Sequence, residues 1–256
     1  MPIVARLNVT PVKSTRLHHP DQIRLEAYGA VGNREFFFVD GDGKRFPGLS
    51  KEPLLPVVAD HDPASEHLTI RLPDGTVAQG SSAALGDALT VDFYGRPAET
   101  HIVEGPWNEA VSRYVGTEVR LARADRPGDG NDERPVTIVS LASVEELSRR
   151  GGRDEPVDAR RFRMTIELDG CAPHEEDTWA GRRARIGEAL LLVEDPVPRC
   201  VVTTLDPDTG VRDFPTLKVI KDYRGVTPDG ELPFGVYASV VEPGTVRVGD
   251  RLELLP

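Results

Sequence analysis

The residue most suited to a chemical role is Cys200, which lies in the segment Pro198-Arg199-Cys200-Val201-Val202-Thr203-Thr204. The β-branched run after it predicts a strand, which puts the thiol at a strand entrance, where a side chain can face a cleft. The neighbouring Arg199 favours the thiolate, the form that attacks electrophiles and binds soft metals. The alternative is a small buried side chain beside a surface arginine. The segment by itself leaves both interpretations open.

Three basic segments stand out in a chain with 42 acidic and 31 basic side chains. They are Lys13-Ser14, Arg34 and the run from Arg160 to Arg163. A lysine or arginine at a strand end can clamp a phosphate or another anion, with help from a hydroxyl and backbone N–H groups. The alternative is pairing with surface carboxylates, the usual fate of an arginine. The segments mark candidate anion-binding residues without deciding between these roles.

Several common catalytic and metal-binding patterns are absent from the sequence. It has no GxxxxGK phosphate loop, no GxGxxG, no HExxH and no GxSxG. The six histidines, at positions 18, 19, 61, 67, 101 and 174, lack the spacing that places two of them on one metal ion. The second cysteine, Cys171, lies in a predicted turn and is expected to be structural.

The elements that position these residues are predicted to be mostly strands. Short apolar runs alternate with Gly, Pro and Asp-Gly turns, a pattern typical of all-β sandwiches and barrels. Two hairpins are predicted, one with its turn at 40–43 and one with its turn at 73–75. The segment 236–255 alternates enough to supply closing strands of a barrel.

Two segments are predicted to be helices. Trp107, Val111, Tyr114 and Val115 recur at helical spacing and stop at Gly116. The pattern Ser143-Val-Glu-Glu146 is a capping box, which predicts a short helix just after the apolar strand 136–140. Between these segments lies a polar stretch, 126–135, rich in Pro and Gly. It predicts a domain junction or a long functional loop, with one domain over 1–125 and the other over 126–256.

Charge and hydropathy restrict the partners that the chain is expected to have. A net charge of −11 and a pI near 5.1 oppose binding to nucleic acid and to anionic membrane surfaces. The sequence has no apolar run of about 18 residues, and its first residues lack the pattern of a secretory signal. The expectation is a soluble, cytoplasmic protein with no nucleic-acid and no membrane partner.

Taken together, these segments resemble the MOSC (molybdenum cofactor sulfurase C-terminal) domain family with its N-terminal companion domain. They are similar to the mitochondrial amidoxime-reducing components and their bacterial relatives. The resemblance rests on segments along nearly the whole chain: 11–14, 32–38, 161–163, 169–171, 176–179, 198–210, 234–237 and 243–250. It implies a mainly β (mixed α+β) fold, in which a MOSC β-barrel joins a smaller N-terminal β-barrel-like domain and a few short helices.

The resemblance also implies a cofactor and its binding residues. In such a protein Cys200 is the sulfur ligand of the metal in a molybdenum cofactor, Mo-molybdopterin. Residues that hold the pterin and its phosphate correspond to Lys13, Ser14, Arg34 and Arg163, and a polar cofactor contact corresponds to Thr165. Three segments depart from the family pattern. Met164-Thr165 replaces a common Pro-Asn pair, and Thr15-Arg16 replaces a Cys-Lys pair. Pro198 replaces a serine, and it has no hydroxyl and no N–H.

The implied activity is a two-electron reduction of small N-hydroxylated substrates, such as amidoximes and hydroxylamines, at molybdenum. With two cysteines, the chain has no iron–sulfur motif of its own. The electrons are therefore expected from a separate protein, a ferredoxin or a b-type cytochrome with its reductase. Two other functions compete with this one. One is a carrier or sulfur relay that uses Cys200 for cofactor transfer or a persulfide, and the other is a β-barrel interaction module without chemistry.

Overall fold

Strands make up most of the regular structure in the computed structural model, which describes residues 1–46 and 53–255. Within these ranges the strands, numbered along the chain, are β1 (Ile3–Leu7), β2 (Gln22–Glu26), β3 (Gly29–Ala30), β4 (Phe36–Asp40), β5 (Arg45–Phe46), β6 (Val58–Asp62), β7 (His67–Arg71), β8 (Val77–Ser81), β9 (Leu85–Phe93), β10 (Arg96–Val103), β11 (Val119–Ala124), β12 (Val136–Ser140), β13 (Ile166–Asp169), β14 (Arg183–Ile186), β15 (Ala189–Pro198), β16 (Pro233–Glu242), β17 (Gly244–Arg247) and β18 (Leu252–Leu254). The helices are α1 (Pro106–Val115), α2 (Leu141–Arg150) and α3 (Thr216–Arg224), and 3₁₀ turns cover Ala159–Phe162, Glu175–Trp179 and Val201–Thr204. The predicted mainly β fold class is confirmed.

Seven strands form one sheet in the order β1-β13-β12-β16-β15-β14-β18. The neighbours are antiparallel except for β12 and β13, which run parallel. The edge strands also approach each other, because the Leu252 N–H donates to the Pro2 carbonyl at 2.9 Å and the Val4 N–H donates to the Asp250 carbonyl at 2.8 Å. These bonds nearly close the sheet into a barrel and satisfy backbone groups that an open edge would leave unpaired.

A second sheet has the order β5-β4-β11-β10-β9, and a third joins β6, β7 and β8. The apolar run of β4 is buried on both of its faces, which explains why it does not alternate with polar residues. Phe36 and Phe38 pack with Trp107 of α1, whereas Phe37 packs with Phe93. β4 pairs with β5, and β7 pairs with β8, both antiparallel, so the two predicted hairpins are confirmed.

The helices agree with the sequence prediction in part. α1 buries Trp107 and Val111 and ends at Gly116, whose φ of 75° is the left-handed conformation that glycine adopts readily. α2 begins at Leu141, directly after β12, so the helix predicted just after this strand is confirmed, but its N-cap is Ser140 and not the Ser143 of the predicted capping box. The Ser143 hydroxyl instead donates to the buried Glu176 carboxylate at 2.8 Å. None of the described helices is long and apolar enough to cross a membrane.

The first part of the chain contributes to the barrel. β1 lies at the edge of the seven-stranded sheet beside β13, and β2 pairs with β17. β11, in contrast, pairs with β10 and β4. The segment 125–135 connects these two groups of strands. The domain boundary near residue 125 stays a prediction, and strands from before it complete the sheet that follows it.

Candidate active site

One cavity, of about 350 Å³, brings together residues that are far apart in the sequence. It lies between the ends of the barrel strands β15 and β16 and the strand β5 of the five-stranded sheet. Five of the residues predicted for a cofactor site line it: Lys13, Ser14, Arg34, Arg163 and Cys200. Their shared wall makes this cavity the candidate active site.

Cys200 is exposed and forms no disulfide. This contradicts the alternative in which it is a buried hydrophobic side chain. The thiol follows the end of β15, and the Val201–Thr204 segment after it is a 3₁₀ turn. The strand predicted there is therefore wrong, and Cys200 lies at the exit of a strand and not at an entrance.

Hydroxyl groups and a buried arginine explain why this segment turns. The Thr203 hydroxyl donates to the Cys200 carbonyl at 3.0 Å, and the Thr204 hydroxyl donates to the Val201 carbonyl at 2.7 Å. Such local bonds compete with the hydrogen bonds of a strand. The Thr203 carbonyl also accepts hydrogen bonds from the Arg161 guanidinium at 3.2 Å and the Thr216 hydroxyl at 2.5 Å. The turn that follows Cys200 is thereby fixed from two sides.

Backbone strain is concentrated around the cavity. Six non-glycine residues of the described ranges have a positive φ, and four of them line the cavity: Ser14, Arg34, Tyr94 and Arg163. For a side chain larger than glycine this conformation costs about 1 kcal/mol or more, and such residues persist where the surrounding structure holds them. Clustered strain of this kind is typical of functional sites.

Lys13 and Arg34 share one carboxylate, that of Asp132. The Lys13 ammonium donates to Asp132 Oδ1 at 2.7 Å and to the Gly130 carbonyl at 3.0 Å, and the Arg34 guanidinium donates to Asp132 Oδ2. Lys13 and Arg34 have side-chain exposures of 10% and 12%. When Lys13 is protonated, these two cations beside one anion leave a net positive charge, which suits an anionic ligand.

Burial changes how these groups titrate. It lowers the pKa of Lys13 to about 7, although Asp132 acts in the opposite direction. Burial alone would raise the pKa of Asp132, but Arg34 and Lys13 hold it well below its usual range. Asp132 is therefore ionised at neutral pH, whereas Lys13 is only partly protonated there.

Two further arginines complete the wall near Cys200. The Arg163 guanidinium donates to the Thr15 carbonyl at 2.7 Å. The Arg199 guanidinium donates to the Phe234 carbonyl at 2.8 Å and to the Phe162 carbonyl at 3.1 Å. Burial lowers the pKa of Arg199 to about 10, so it still carries its charge at neutral pH. Both arginines add positive charge to the cavity wall that also contains Cys200.

The observed cavity wall differs in two respects from the residues predicted for it. Thr165 does not line the cavity as far as the described residues show, because its hydroxyl lies against the Thr137 hydroxyl at 3.3 Å inside the barrel. Asp132, Arg45 and Tyr94 line the wall but were not predicted. For Asp132 a signal was present, since it lies in the 126–135 stretch that predicted a functional loop.

The family can be assigned by comparison with known proteins. A model of the MOSC domain matches residues 125–253, half of the chain. The chain belongs to the MOSC domain family. The resemblance found in the sequence is thus confirmed.

Three proteins similar to this MOSC chain have names that describe a function. Mitochondrial amidoxime-reducing component 1 of Mus musculus is 39% identical over 132 residues, which are 49% of this chain and 38% of that protein. The protein of the same name from Danio rerio is 28% identical over 286 residues, covering 97% of this chain and 83% of that protein. A molybdenum cofactor sulfurase of Drosophila mojavensis is 34% identical over 154 residues, covering 56% of this chain and 18% of that protein. The match to the mouse protein spans about two fifths of its length.

The residues of this MOSC cavity fit a molybdenum–pterin cofactor. Cys200 offers a single accessible thiol, a soft ligand suited to a metal whose other ligands come from a cofactor. The largely enclosed side chains of Lys13 and Arg34 supply charge-assisted donors of the kind that hold a phosphate. Ser14 adds a hydroxyl to the same wall.

Proposed function

We propose that this MOSC protein binds a molybdenum–pterin cofactor in the cavity and reduces small N-hydroxylated molecules. One observation carries the proposal: the accessible Cys200 thiol shares a cavity with the cations Lys13 and Arg34, whose side chains are 10% and 12% exposed. The names of the amidoxime-reducing relatives support this choice of substrate. In the overall reaction an N–OH group takes up two electrons and two protons and becomes N–H and water.

The protein's own residues bind and orient in this proposal. When bound, the cofactor supplies a metal that exchanges two electrons with the substrate. Cys200 provides the protein ligand to that metal. Lys13, Arg34 and Ser14 hold the phosphate, and Arg163 and Arg199 place positive charge beside the metal site. Thr165 is buried away from the wall, with its hydroxyl against that of Thr137. Any effect of Thr165 on the cofactor is therefore indirect.

Reducing equivalents come from another protein under this proposal. The chain holds two cysteines in all, and each turnover consumes two electrons. A ferredoxin or a b-type cytochrome with its reductase has the required chemistry. The substrate under this proposal is a small molecule with an N–O bond.

A cofactor carrier or sulfur relay is the second candidate. The accessible Cys200 also suits transient bonding to sulfur or to a cofactor in transit, and one relative is named a molybdenum cofactor sulfurase. The carrier function predicts bound molybdenum without turnover. The reductase function predicts both.

Metal content and turnover test these functions. The chain, produced in a host that makes the cofactor, is expected to contain molybdenum and to reduce benzamidoxime with a chemical electron donor. Cys200→Ala is expected to lose both properties. Cys171→Ala is the matched control, because Cys171 is half-buried against the barrel core and lies outside the cavity wall. Equal molybdenum content in both variants would refute the role of Cys200.

A further inference from the structure

Another cation of the cavity, Arg45, lies over two aromatic rings, one of which, Phe93, also has Lys13 beside it. It lies in β5, opposite Val39 of β4, next to the turn of the first hairpin. Its guanidinium carbon lies 5.3 Å from the centre of the Phe93 ring and 4.3 Å from the centre of the Tyr94 ring. Aromatic faces hold the plane of a guanidinium while its edge, which carries the N–H donors, stays available.

The charge balance around Arg45 favours an anionic ligand. Lys13 and Arg34 are engaged by Asp132, whereas no carboxylate of residues 1–46 and 53–255 lies within 4.0 Å of the Arg45 guanidinium. Its polar neighbour is the Tyr94 hydroxyl, a neutral group that also donates to Asp132 Oδ1 at 3.2 Å. The cavity wall carries the carboxylates of Asp132, Glu133 and Glu231, but none of them pairs with Arg45, so the charge of Arg45 is available to a ligand.

The backbone supports a fixed position for this group. Tyr94 has a φ of 55°, so its ring is presented from a strained turn between β9 and β10. Phe93 is fully buried and packs edge-on against Phe37 at 4.8 Å. The platform under Arg45 is therefore built by the five-stranded sheet and is independent of the turn that carries Cys200.

We propose that Arg45 is an anion-binding residue of this cavity, placed by Phe93 and Tyr94 beside the Lys13–Arg34–Asp132 cluster. Its ligand is an oxyanion, a carboxylate or a phosphate, on a molecule bound in the cavity. The proposal deepens the proposed function and rests on it for the identity of that molecule. A phosphate belongs to the cofactor, whereas a carboxylate belongs to the N-hydroxylated substrate.

Direct titration tests the anion site without any turnover. Inorganic phosphate and benzoate are titrated calorimetrically into the full chain and into Arg45→Met and Arg45→Lys. We expect Arg45→Met to bind at least one of the two anions about tenfold more weakly, a difference of about 1.4 kcal/mol, and Arg45→Lys to retain part of the affinity. Arg153→Met is the matched control, since Arg153 also lies over an aromatic ring, Phe214 at 5.3 Å, but outside the cavity wall.

Protein loaded with cofactor distinguishes the two sources of the anion. Lower molybdenum and pterin content in Arg45→Met assigns the site to the cofactor phosphate. Unchanged content, with a KM raised about tenfold for 4-carboxybenzamidoxime but not for benzamidoxime, assigns it to a substrate carboxylate. The proposal is overturned if neither anion binds the wild-type chain, or if Arg45→Met and Arg153→Met bind both anions alike. A chain without molybdenum refutes the proposed function, while the titrations still decide the role of Arg45.

Discussion

At the scale of residues, the cavity depends on buried charges that do not cancel. Asp132 balances one of the two cations bonded to it, and Arg199 is held by carbonyl groups. Burying a charge without a counter-ion costs several kcal/mol, so the arrangement is favourable when an anion completes it. The sign of the expected ligand therefore follows from the protein's own groups.

Lys13 makes anion binding depend on pH. Because its pKa is lowered to about 7, the protonated fraction falls as the pH rises through that value. Sulfate is the appropriate probe, since it stays a dianion over this range. We expect the affinity for sulfate to be highest below about pH 7 and to fall about tenfold toward about pH 9, with a midpoint shifted upward by the bound anion. Calorimetric titration at several pH values measures this.

Lys13→Arg separates the lysine from other titrating groups. Arginine keeps its charge over the whole range, so the affinity for sulfate in this variant is expected to be nearly flat with pH. A pH dependence that persists unchanged in Lys13→Arg would show that another group controls binding.

Retention of the cofactor should depend on cations of the wall and not on arginines in general. Lys13→Ala and Arg163→Ala are each expected to lower the molybdenum content of purified protein several-fold, since each removes a charged donor worth about 1.5 kcal/mol or more. Arg149 is the control, because it is exposed on α2 and pairs with Glu146. Equal molybdenum content in Lys13→Ala, Arg163→Ala and Arg149→Ala would contradict the assignment of the wall.

Some site residues could be predicted from sequence motifs, whereas others are brought to the cavity only by the tertiary structure. Cys200, Lys13 and Arg34 stand in segments that resemble the family, and the structure brings them to one cavity. Arg45 comes from the strand β5 and Tyr94 from the turn between β9 and β10, and single-sequence patterns do not indicate that these two segments meet. Thr165 was predicted by position in a motif, but its side chain points to a hydroxyl partner within the barrel.

At the scale of elements, sequence patterns succeeded where local and tertiary preferences agree. α1 buries its predicted apolar face in the core, and it ends at the predicted glycine. The run Val201–Thr204 has the composition of a strand, but hydroxyl bonds and Arg161 fold it into a 3₁₀ turn. Ser143 does not form the predicted capping box, because its hydroxyl donates to the buried Glu176 carboxylate. Tertiary partners decided both cases, and a local pattern does not reveal them.

Arg161 is expected to stabilise the turn after Cys200. Its guanidinium is buried and bonds to Asp213 at 3.0 and 3.1 Å as well as to Thr203. Arg161→Met should lower the free energy of unfolding by about 2 kcal/mol, because it removes the charge-assisted hydrogen bonds of a buried guanidinium to Asp213 and Thr203. Urea unfolding measures the loss.

Arg153 provides a control at the same carboxylate. It lies 3.9 Å from Asp213 Oδ2 but its side chain is 44% exposed, so Arg153→Met should cost less than about 1 kcal/mol. Similar losses in the two variants would show that burial of Arg161 is not what fixes the turn.

At the scale of the whole molecule, the barrel is assembled from both parts of the chain. β1 nearly closes the sheet against β18, and β2 pairs with β17. The cavity also needs both parts, since Lys13 and Arg34 come from one and Cys200 from the other. A cut near residue 125 therefore passes between strands of a shared core and divides the candidate site.

The consequence can be tested with the fragment 126–256. Without β1 and β2, its core lacks Val4, Leu7, Ile23 and Leu25, each at most 6% exposed in the whole chain. At about 1.5 to 3 kcal/mol for each buried side chain, the loss is about 6 to 12 kcal/mol, comparable with the total stability of a domain. We expect the fragment to show no cooperative urea transition by circular dichroism, whereas residues 1–31 joined to it by a flexible linker should restore one. A cooperative transition in the fragment alone would instead establish residues 126–256 as an independently folding domain, with β1 and β2 as additions to a barrel that is stable without them.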